Sequence, residues 1–309
     1  MSRCTNPIYA LDRGIKENGK RDIKILPRRV DLYSYQTLSE RYGKGSIIPL
    51  PCGKCLACKL NKAKEWAVRC CLEASLYENN YFVTLTYSDG NLPVGGTLQR
   101  DHVQSFLKRL RYYSPGLRYF GCGEYGSHTK RPHYHLILFN LDLPDLKCVS
   151  KGSIGGYYYQ SKLLEEVWSK GNILIGEVSY SSASYVARYA TKKLFGDQNS
   201  SEFICMSTRP GLGYGWFEKH PEVFQYDSIV GNFGSSKVSK IPRYFEKMVE
   251  KLGVEIDLSD IKDERICQSN DALFHKLNVH GFTNLEMIYE YDGSILNARF
   301  EDMKRRKDL

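Results

Sequence analysis

YFVTLTY at residues 81–87 and HYHLILF at residues 133–139 are the two stretches of this sequence that indicate its fold most strongly. Both are short runs of β-branched, aromatic and aliphatic residues, and Asp89, Gly90 and Pro93 close the first, so each predicts a strand. Their almost continuous apolar character is typical of strands that are buried on both faces. We therefore expect them to be adjacent central strands of one sheet.

The segments around these two strands complete an ordered pattern of elements. Helical spacing of apolar residues predicts helices at residues 98–113 and 161–170, and apolar runs predict strands at 117–124 and 172–179. Residues 81–179 then have the order β-α-β-β-α-β, the split pattern of ferredoxin-like sheets. This predicts an α+β protein with a ferredoxin-like or RRM-like antiparallel sheet and helices on one face. A further helix at residues 182–195, capped by Ser182, is expected near the open face of the sheet.

Composition and charge predict how the 309 residues are organised. Hydrophobic residues make up 42% of the chain, which supports a sizeable core and excludes a wholly disordered protein. Residues 1–75 hold 15 Lys and Arg against 7 Asp and Glu, whereas residues 206–309 hold 15 against 17. We expect a basic N-terminal extension with a cysteine cluster (1–75), a core (76–205) and a C-terminal extension (206–309). The basic front fits a polyanionic partner or a solvated basic surface.

The sequence also predicts the compartment. Within these residues no apolar run approaches the roughly 20 residues that a membrane helix needs, and the start lacks the pattern of a secretory signal. The ten cysteines are therefore expected to be reduced thiols, metal ligands or both. We expect a cytoplasmic protein with no membrane partner.

Two histidines and a glutamate form the first candidate site. His133 and His135 alternate with Tyr134, so both imidazoles project from the same face of the predicted strand. Taken alone, such a pair is more often two ordinary strand histidines. Glu124, near the loop end of the partner strand, could add the third ligand of a divalent metal. Two histidines and one carboxylate with open positions suit Mg²⁺ or Mn²⁺ when a phosphate oxygen and water complete the shell.

Two tyrosines form the second candidate feature. Tyr185 and Tyr189 are four residues apart on a predicted helix, so their phenols share one face, and Lys192 follows three residues later. Tyrosines at this spacing usually form the edge of a core. A phenol pair beside a metal and a lysine is also what phosphotyrosyl strand transfer requires. The second phenol would permit a second transesterification without release of the first covalent end.

A cysteine cluster precedes the core. Cys52, Cys55 and Cys58 have the spacing C-x₂-C-x₂-C, and three thiolates hold Zn²⁺ if a fourth ligand folds back. Cys4 is the first candidate for the fourth ligand, and Cys70 or Cys71 the second. The alternative is three reduced thiols in a turn.

Three motifs in this order resemble those of a known superfamily. FVTLTY (82–87), RPHYHLILF (131–139) and YVARYATKK (185–193) look like motifs one, two and three of HUH endonucleases. The two-tyrosine third motif, with GEYG (123–126) and PCGKCLACK (51–59), is similar to the replication initiators of Microviridae, the gokushovirus branch fitting best. The resemblance covers about residues 50–195 and little of residues 205–309.

The resemblance implies roles for these residues. His133 and His135 would be metal ligands with Glu124 as the third, Tyr185 and Tyr189 the nucleophiles, and Lys192 the lysine that follows them. It implies a metal-dependent endonuclease that nicks and rejoins single-stranded DNA through a 5′-phosphotyrosine in rolling-circle replication.

The implied partners are a single-stranded or supercoiled phage origin and the host helicase and polymerase, in the cytoplasm of a bacterial host. Other functions stay open at this point: a plasmid relaxase, an HUH transposase, or a non-enzymatic RRM-like module whose tyrosines stack on bases.

Overall fold

The structure is a computed structural model, and its compact units are described separately. It describes residues 3–17, 21–27, 46–126, 129–151, 156–192, 202–226, 228–233, 236–253, 256 and 258–305. The chain divides into one unit of Met1–Asn61 with Ser259–Leu309 and a second unit of Lys62–Leu258. The boundaries expected at residues 75 and 205 stay predictions.

The described residues form twelve strands and eight α-helices. The strands are β1 (Ile8–Ile15), β2 (Arg21–Ile25), β3 (Ser46–Leu50), β4 (Asn80–Thr86), β5 (Arg118–Tyr125), β6 (Pro132–Phe139), β7 (Lys147–Lys151), β8 (Tyr157–Gln160), β9 (Ile173–Glu177), β10 (Phe203–Met206), β11 (Ser228–Phe233) and β12 (Ser236–Lys240). The helices are α1 (Leu56–Ala74), α2 (Arg100–Tyr113), α3 (Lys162–Trp168), α4 (Tyr180–Lys192), α5 (Tyr214–Lys219), α6 (Arg243–Leu252), α7 (Leu258–His280) and α8 (Leu285–Arg305).

A seven-stranded sheet organises the second unit. Its strand order is β10-β5-β6-β4-β9-β8-β7, and every pairing is antiparallel. The four strands β5-β6-β4-β9 at its centre are those predicted from the sequence, in the ferredoxin-like order. The predicted α+β fold and the adjacency of the two central strands are confirmed. Strands β7, β8 and β10, which widen the sheet, were not predicted.

The two helices of the split pattern share one face of this sheet. Helix α2 buries the apolar stripe that its sequence predicts, and α3 adds Trp168 to the same core. Facing them are the inward residues of the central strands, which include Val83, Leu85, Tyr134 and Leu136. The indole nitrogen of Trp168 also donates to the carbonyl oxygen of Thr86, 2.8 Å away, which ties α3 to β4.

The opposite face carries α1 and α4. Small side chains on both helices, including Ala63, Ala67, Ala183 and Ala187, pack against aromatic and aliphatic residues of β5 and β6. Helix α4 begins two residues before the predicted start, because Ser179 and not Ser182 is the cap. The hydroxyls of these two serines accept each other's backbone N–H, at 3.1 and 2.9 Å. The end expected at Gly196 lies outside the described residues.

Residues beyond 205 are anchored to the same unit. The buried carboxylate of Glu73 on α1 pairs with Arg118 and accepts the backbone N–H of Gly213 at 2.7 Å. The guanidinium of Arg69 donates to the carbonyl oxygen of Leu212 at 3.0 Å and stacks on the ring of Tyr244. Buried charges persist only when they are paired in this way.

The first unit combines both ends of the chain. Strand β1 lies between β2 and β3 in an antiparallel three-stranded sheet. Helices α7 and α8 pack through Leu273, Ile288 and Tyr289. Arg21 of β2 pairs with Asp263 of α7 at 2.6 Å. Among the described residues, no helix has both the length and the apolar character needed to cross a bilayer.

The segment between α3 and β9 holds a close approach of two backbones. Helix α3 ends at Ser169 in the left-handed conformation, φ 53°, so the predicted cap at Gly171 is wrong. Gly171 instead packs against the end of β4, where Ser88 N–H donates to the carbonyl of Lys170 at 2.9 Å. A Cβ at position 171 would overlap the carbonyl oxygen of Thr86 and the nitrogen of Ser88.

Replacing Gly171 by alanine is therefore expected to lower the free energy of unfolding by about 2 kcal/mol or more, because the backbone must move. Equilibrium unfolding in urea, followed by circular dichroism, measures this change. Gly90→Ala is the matched control, since nothing lies within 4 Å of its Cβ, and should change stability by less than about 0.5 kcal/mol. Equal stabilities of the two variants would contradict the close packing of Gly171.

Candidate active site

The register of two strands assembles the histidines and the glutamate. In the β5–β6 hairpin Glu124 lies opposite His133, and Cys122 lies opposite His135. Residues two apart on a strand share a face, so Glu124 and both imidazoles project to the side that carries α1 and α4. The structure thus brings together the three residues that the sequence singled out as metal ligands.

The three side chains converge on one carboxylate oxygen. Glu124 Oε1 lies 2.7 Å from His133 Nε2 and 3.0 Å from His135 Nε2. Glu124 is only 3% exposed and His135 only 7%. One ligand atom of each residue lies within 4.8 Å of the others. Two imidazole nitrogens and a carboxylate oxygen facing one point form a donor set that fits a divalent cation.

The far nitrogens of the two imidazoles are held by other groups. His133 Nδ1 lies 3.2 Å from the carbonyl oxygen of Arg131, which only accepts, so Nδ1 donates this bond. His135 Nδ1 lies 3.0 Å from Thr84 Oγ1, a hydroxyl that serves as donor or acceptor. Outer bonds of this kind orient a metal-binding histidine and keep its Nε2 directed at the centre.

The electrostatics of the centre favour positive charge. Burial lowers the pKa of His133, but its hydrogen bonds to Glu124 and to the carbonyl of Arg131, with the charge of Glu124, outweigh burial. The pKa of His133 is therefore raised above its ordinary value. A centre that stabilises a proton between an imidazole and a carboxylate is also suited to a cation at that point.

Helix α4 brings Tyr185 to the same oxygen. The Tyr185 hydroxyl donates to Glu124 Oε1 at 3.1 Å, and its ring meets that of His135 edge-on, with centroids 5.1 Å apart. Phe82 of β4 lies edge-on to the Tyr185 ring at 6.4 Å. The guanidinium carbon of Arg188, one turn further along α4, lies 5.7 Å from the ring centroid. The phenol is therefore beside the candidate metal centre.

The other two residues of the third motif have less structural information. Positions 189 and 192 lie on α4, one and two turns beyond Tyr185. The side chains of Tyr189 and Lys192 lie outside the described residues. Their roles stay predictions from the sequence.

Sequence reasoning missed three residues of this site. Thr84, Arg131 and Arg188 each touch a ligand or Tyr185. Two of these contacts depend on tertiary pairing or loop path, which a single strand does not reveal. Arg188 had a local signal, because it follows Tyr185 at i+3 on the predicted helix.

The first unit contains a cluster of four sulfurs. The Sγ atoms of Cys4, Cys52, Cys55 and Cys58 all lie within 4.8 Å of one another. Cys4 Sγ and Cys55 Sγ are 3.7 Å apart, close to the edge of about 3.8 Å in a tetrahedron with Zn–S bonds of about 2.3 Å. Of the two predicted sources for the fourth ligand, the structure supplies Cys4. Cys70 is instead buried in the core beneath α1.

Backbone N–H groups surround these sulfurs. The N–H of Cys52 lies 3.3 Å from Cys4 Sγ, and the N–H of Cys55 lies 3.3 Å from Cys52 Sγ. Burial raises the pKa of Cys55, but the N–H groups of Cys58 and Thr5 outweigh it, and the pKa falls to about 6. Burial raises the pKa of Cys4 to about 11. One thiolate is thus stable near neutral pH, and a dication would favour the others.

Comparisons with known proteins agree with the site. A family of replication-associated proteins of the ORF2 type matches residues 80–194. Replication-associated protein ORF2 of Spiroplasma virus 4 is 36% identical over 244 residues, which cover 74% of this chain and 76% of the relative. Replication-associated protein VP4 of Bdellovibrio phage phiMH2K is 35% identical over 304 residues, 90% of this chain and 95% of the relative.

A third relative and the solved structures complete these comparisons. Replication-associated protein ORF4 of Chlamydia phage 1 is 31% identical over 222 residues, 66% of this chain and 54% of the relative. No solved structure matches the chain. The region that the family matches begins with β4 and contains Glu124, both histidines and Tyr185. The chain therefore belongs to this family of phage replication-associated proteins, the gokushovirus-type rolling-circle replication initiators.

Proposed function

We propose that this chain is a metal-dependent HUH endonuclease and strand transferase that nicks and rejoins single-stranded DNA at a phage origin. The observation that carries the proposal is the convergence of His133, His135 and Tyr185 on Glu124 Oε1, within 3.1 Å. A nucleophile, a cation site and a nearly dry pocket are what phosphoryl transfer needs in one place. The relatives are named for replication, which supports DNA as the substrate.

The metal of the proposal is Mg²⁺ or Mn²⁺. His133, His135 and Glu124 would hold it, and when bound it would polarise the scissile phosphate and offset the charge that develops there. Thr84 and the carbonyl of Arg131 keep the two imidazoles aimed at the centre, so little reorganisation is needed on binding. The low exposure of Glu124 strengthens every charge interaction inside the site.

Tyr185 is the proposed nucleophile. Its phenol oxygen would attack the phosphorus, and the bond from phosphorus to the 3′-oxygen would break. The products are a 5′-phosphotyrosine and a 3′-hydroxyl, and the proton lost by the phenol is balanced by the one the 3′-oxygen gains. Tyr189, one helical turn away, would perform the second transesterification, and Lys192 would offset charge at the reacting phosphate.

The biological setting follows from the resemblance and the relatives. The free 3′-hydroxyl would be extended by the polymerase of the bacterial host, after a host helicase separates the strands, in the host cytoplasm. A relaxase or transposase would form the same covalent bond, whereas an RRM-like binding module would form none. Covalent attachment of the chain to an oligonucleotide, seen on a denaturing gel, is therefore the direct test of the enzyme.

Removal of the metal ligands is expected to abolish nicking. In the double variant His133→Ala, His135→Ala, Glu124 keeps neither imidazole partner, so metal affinity and cleavage of origin DNA should both be lost. Cleavage gels in Mg²⁺ or Mn²⁺ and paramagnetic resonance of bound Mn²⁺ measure the two effects. His220→Ala is the control, because this histidine is exposed and pairs with Glu222. Nicking by the double variant would disprove the ligand assignment.

The tyrosines are expected to separate the two transfer steps. Tyr185→Phe and Tyr189→Phe each remove one hydroxyl and little volume, so folding should survive. At least one single variant should still nick but fail to close a unit-length circle, and the double variant should form no adduct while still binding DNA. Gels of labelled oligonucleotide report the adduct. Tyr226→Phe, at an exposed tyrosine outside the site, should behave like the parent chain. An adduct formed by the double variant would overturn the nucleophile assignment.

The four-cysteine cluster is proposed to hold one structural Zn²⁺. Its support is the sulfur geometry, with an edge of 3.7 Å between Cys4 and Cys55 and all four atoms within 4.8 Å. The N–H groups directed at Cys4 and Cys52 would stabilise the thiolates in the bound state. The role of the metal would be to tie the N-terminal strand to residues 52–58.

Zinc is expected to co-purify at about one ion per chain and to stabilise the first unit. Cys55→Ser should lose the metal and lower the melting temperature, and a chelator should do the same to the parent chain. Cys267→Ser is the control, because this thiol is exposed and outside the cluster. Elemental analysis and thermal unfolding give the answer. Protein without zinc and with an unchanged melting temperature after chelation would leave the cluster as four reduced thiols.

A further inference from the structure

The strand register continues from the candidate metal centre across the widened sheet. His135 of β6 pairs with Thr84 of β4, and Thr84 pairs with Leu174 of β9. Tyr159 of β8 pairs with Ile175, so in these antiparallel strands Gln160 lies beside Leu174. Gln160 in turn pairs with Lys147 of β7. One row of residues thus runs across the sheet: His135, Thr84, Leu174, Gln160 and Lys147.

A second row lies next to the first and contains an aromatic ring. Phe82 pairs with Gly176, and by the same register Gly176 lies beside Tyr158. The face is set by Tyr159, which packs with the core under α2 and α3 and donates to Glu177 at 3.2 Å. Neighbouring residues of a strand point to opposite faces, so Tyr158 projects to the face of the metal centre.

These rows are open to solvent. Helix α4 contacts β5, β6 and β10, on the far side of the centre from β9, β8 and β7. Leu174 is 46% exposed and Tyr158 is 38% exposed, and both Gln160 and Lys147 are exposed. Single exposed apolar residues are common on proteins. Here an aliphatic and an aromatic side chain occupy adjacent rows that both begin beside the metal centre.

We infer that these rows, defined by Thr84, Leu174, Tyr158, Gln160 and Lys147 and here named the sheet track, bind the single-stranded DNA next to the scissile phosphate. The inference rests on the proposed function, because a nuclease centre needs the flanking nucleotides to be held. From β6 to β7 the track crosses four interstrand spacings of about 4.8 Å, or about 19 Å, which accommodates several nucleotides. The substrate class is single-stranded because a ring such as Tyr158 stacks only on unpaired bases.

Each part of the sheet track matches a part of a DNA strand. The faces of Tyr158 and Leu174 offer an apolar floor for bases, and such stacking is tolerant of sequence. The hydroxyl of Thr84 and the amide of Gln160 provide hydrogen-bonding groups between the apolar contacts. Lys147, at the outer end, can neutralise a phosphate. The β7–β8 hairpin therefore provides the outer half of a binding surface whose inner end is the metal centre.

Strand β8 offers a matched pair of variants for the test. Tyr158→Ala removes the ring on the track, and Tyr157→Ala removes a ring that is more exposed, at 47%, on the opposite face of the same strand. The probe is a fluorescent oligothymidylate of about 20 nucleotides, with affinity measured by anisotropy in the presence of a chelator so that no cleavage occurs. Tyr158→Ala should weaken binding roughly tenfold, Tyr157→Ala should leave it unchanged, and Tyr158→Phe should restore it.

The outcomes separate the track from the nuclease. Equal affinities of Tyr158→Ala and Tyr157→Ala, or no binding of the oligothymidylate by the parent chain, would overturn the sheet track. Failure of the proposed function is seen elsewhere, as the absence of a covalent adduct with origin DNA while the two variants still differ in affinity. Photocrosslinking of 4-thiothymidine in the same oligonucleotide should label a peptide that contains residues 157–160, and labelling confined to other peptides would also overturn the track.

Discussion

The antiparallel register of β6 between β5 and β4 holds the candidate site together. A slip by one residue would turn every side chain of β6 to the other face. Tyr134 and Leu136 would then leave the core beneath α2 and α3, where both are fully buried, and His133 and His135 would enter it. The cost of that exchange holds the imidazoles on the face of α1 and α4. The core on one side of the sheet thus positions the chemistry on the other.

The same register explains why a nearly buried carboxylate is tolerated. An isolated charge at Glu124 would be expensive to bury, but its Oε1 faces two imidazole nitrogens and the Tyr185 phenol. The three donors come from β6 and α4, so the carboxylate also couples the helix to the sheet. The raised pKa of His133 has the same origin, because the surroundings of Glu124 favour positive charge. Fold stability and the affinity for a cation are therefore set by the same contacts.

The first unit reaches its structure with a small apolar core and a sulfur cluster. Leu11 and Leu26 form most of the buried core of its sheet, and Leu273 belongs to the core of its helix pair. A small core contributes little free energy, so a metal crosslink or ion pairs matter more. The pair between Arg21 and Asp263 joins the sheet to α7, which comes from the other end of the chain. Two distant segments of sequence therefore make one compact unit.

Local sequence patterns were enough to establish the order of the central elements and the faces of the key side chains. Alternation around His133 and His135, the stripe of α2, and the spacing of Tyr185 and Tyr189 are such patterns, because local geometry follows from neighbours in the chain. The cysteine spacing likewise indicated a cluster and named Cys4 among its partners. The candidate ligands could be chosen before any contact was known.

Contacts between groups far apart in the chain became visible only in the folded molecule. Strand β7 is exposed at every position and β10 has four residues, so neither has an alternation that sequence patterns detect, yet both widen the sheet. The bond from Thr84 to His135 and the choice of Cys4 over Cys70 depend on strand pairing and chain path. These are set by the packing of segments far apart in sequence, and no local periodicity encodes them.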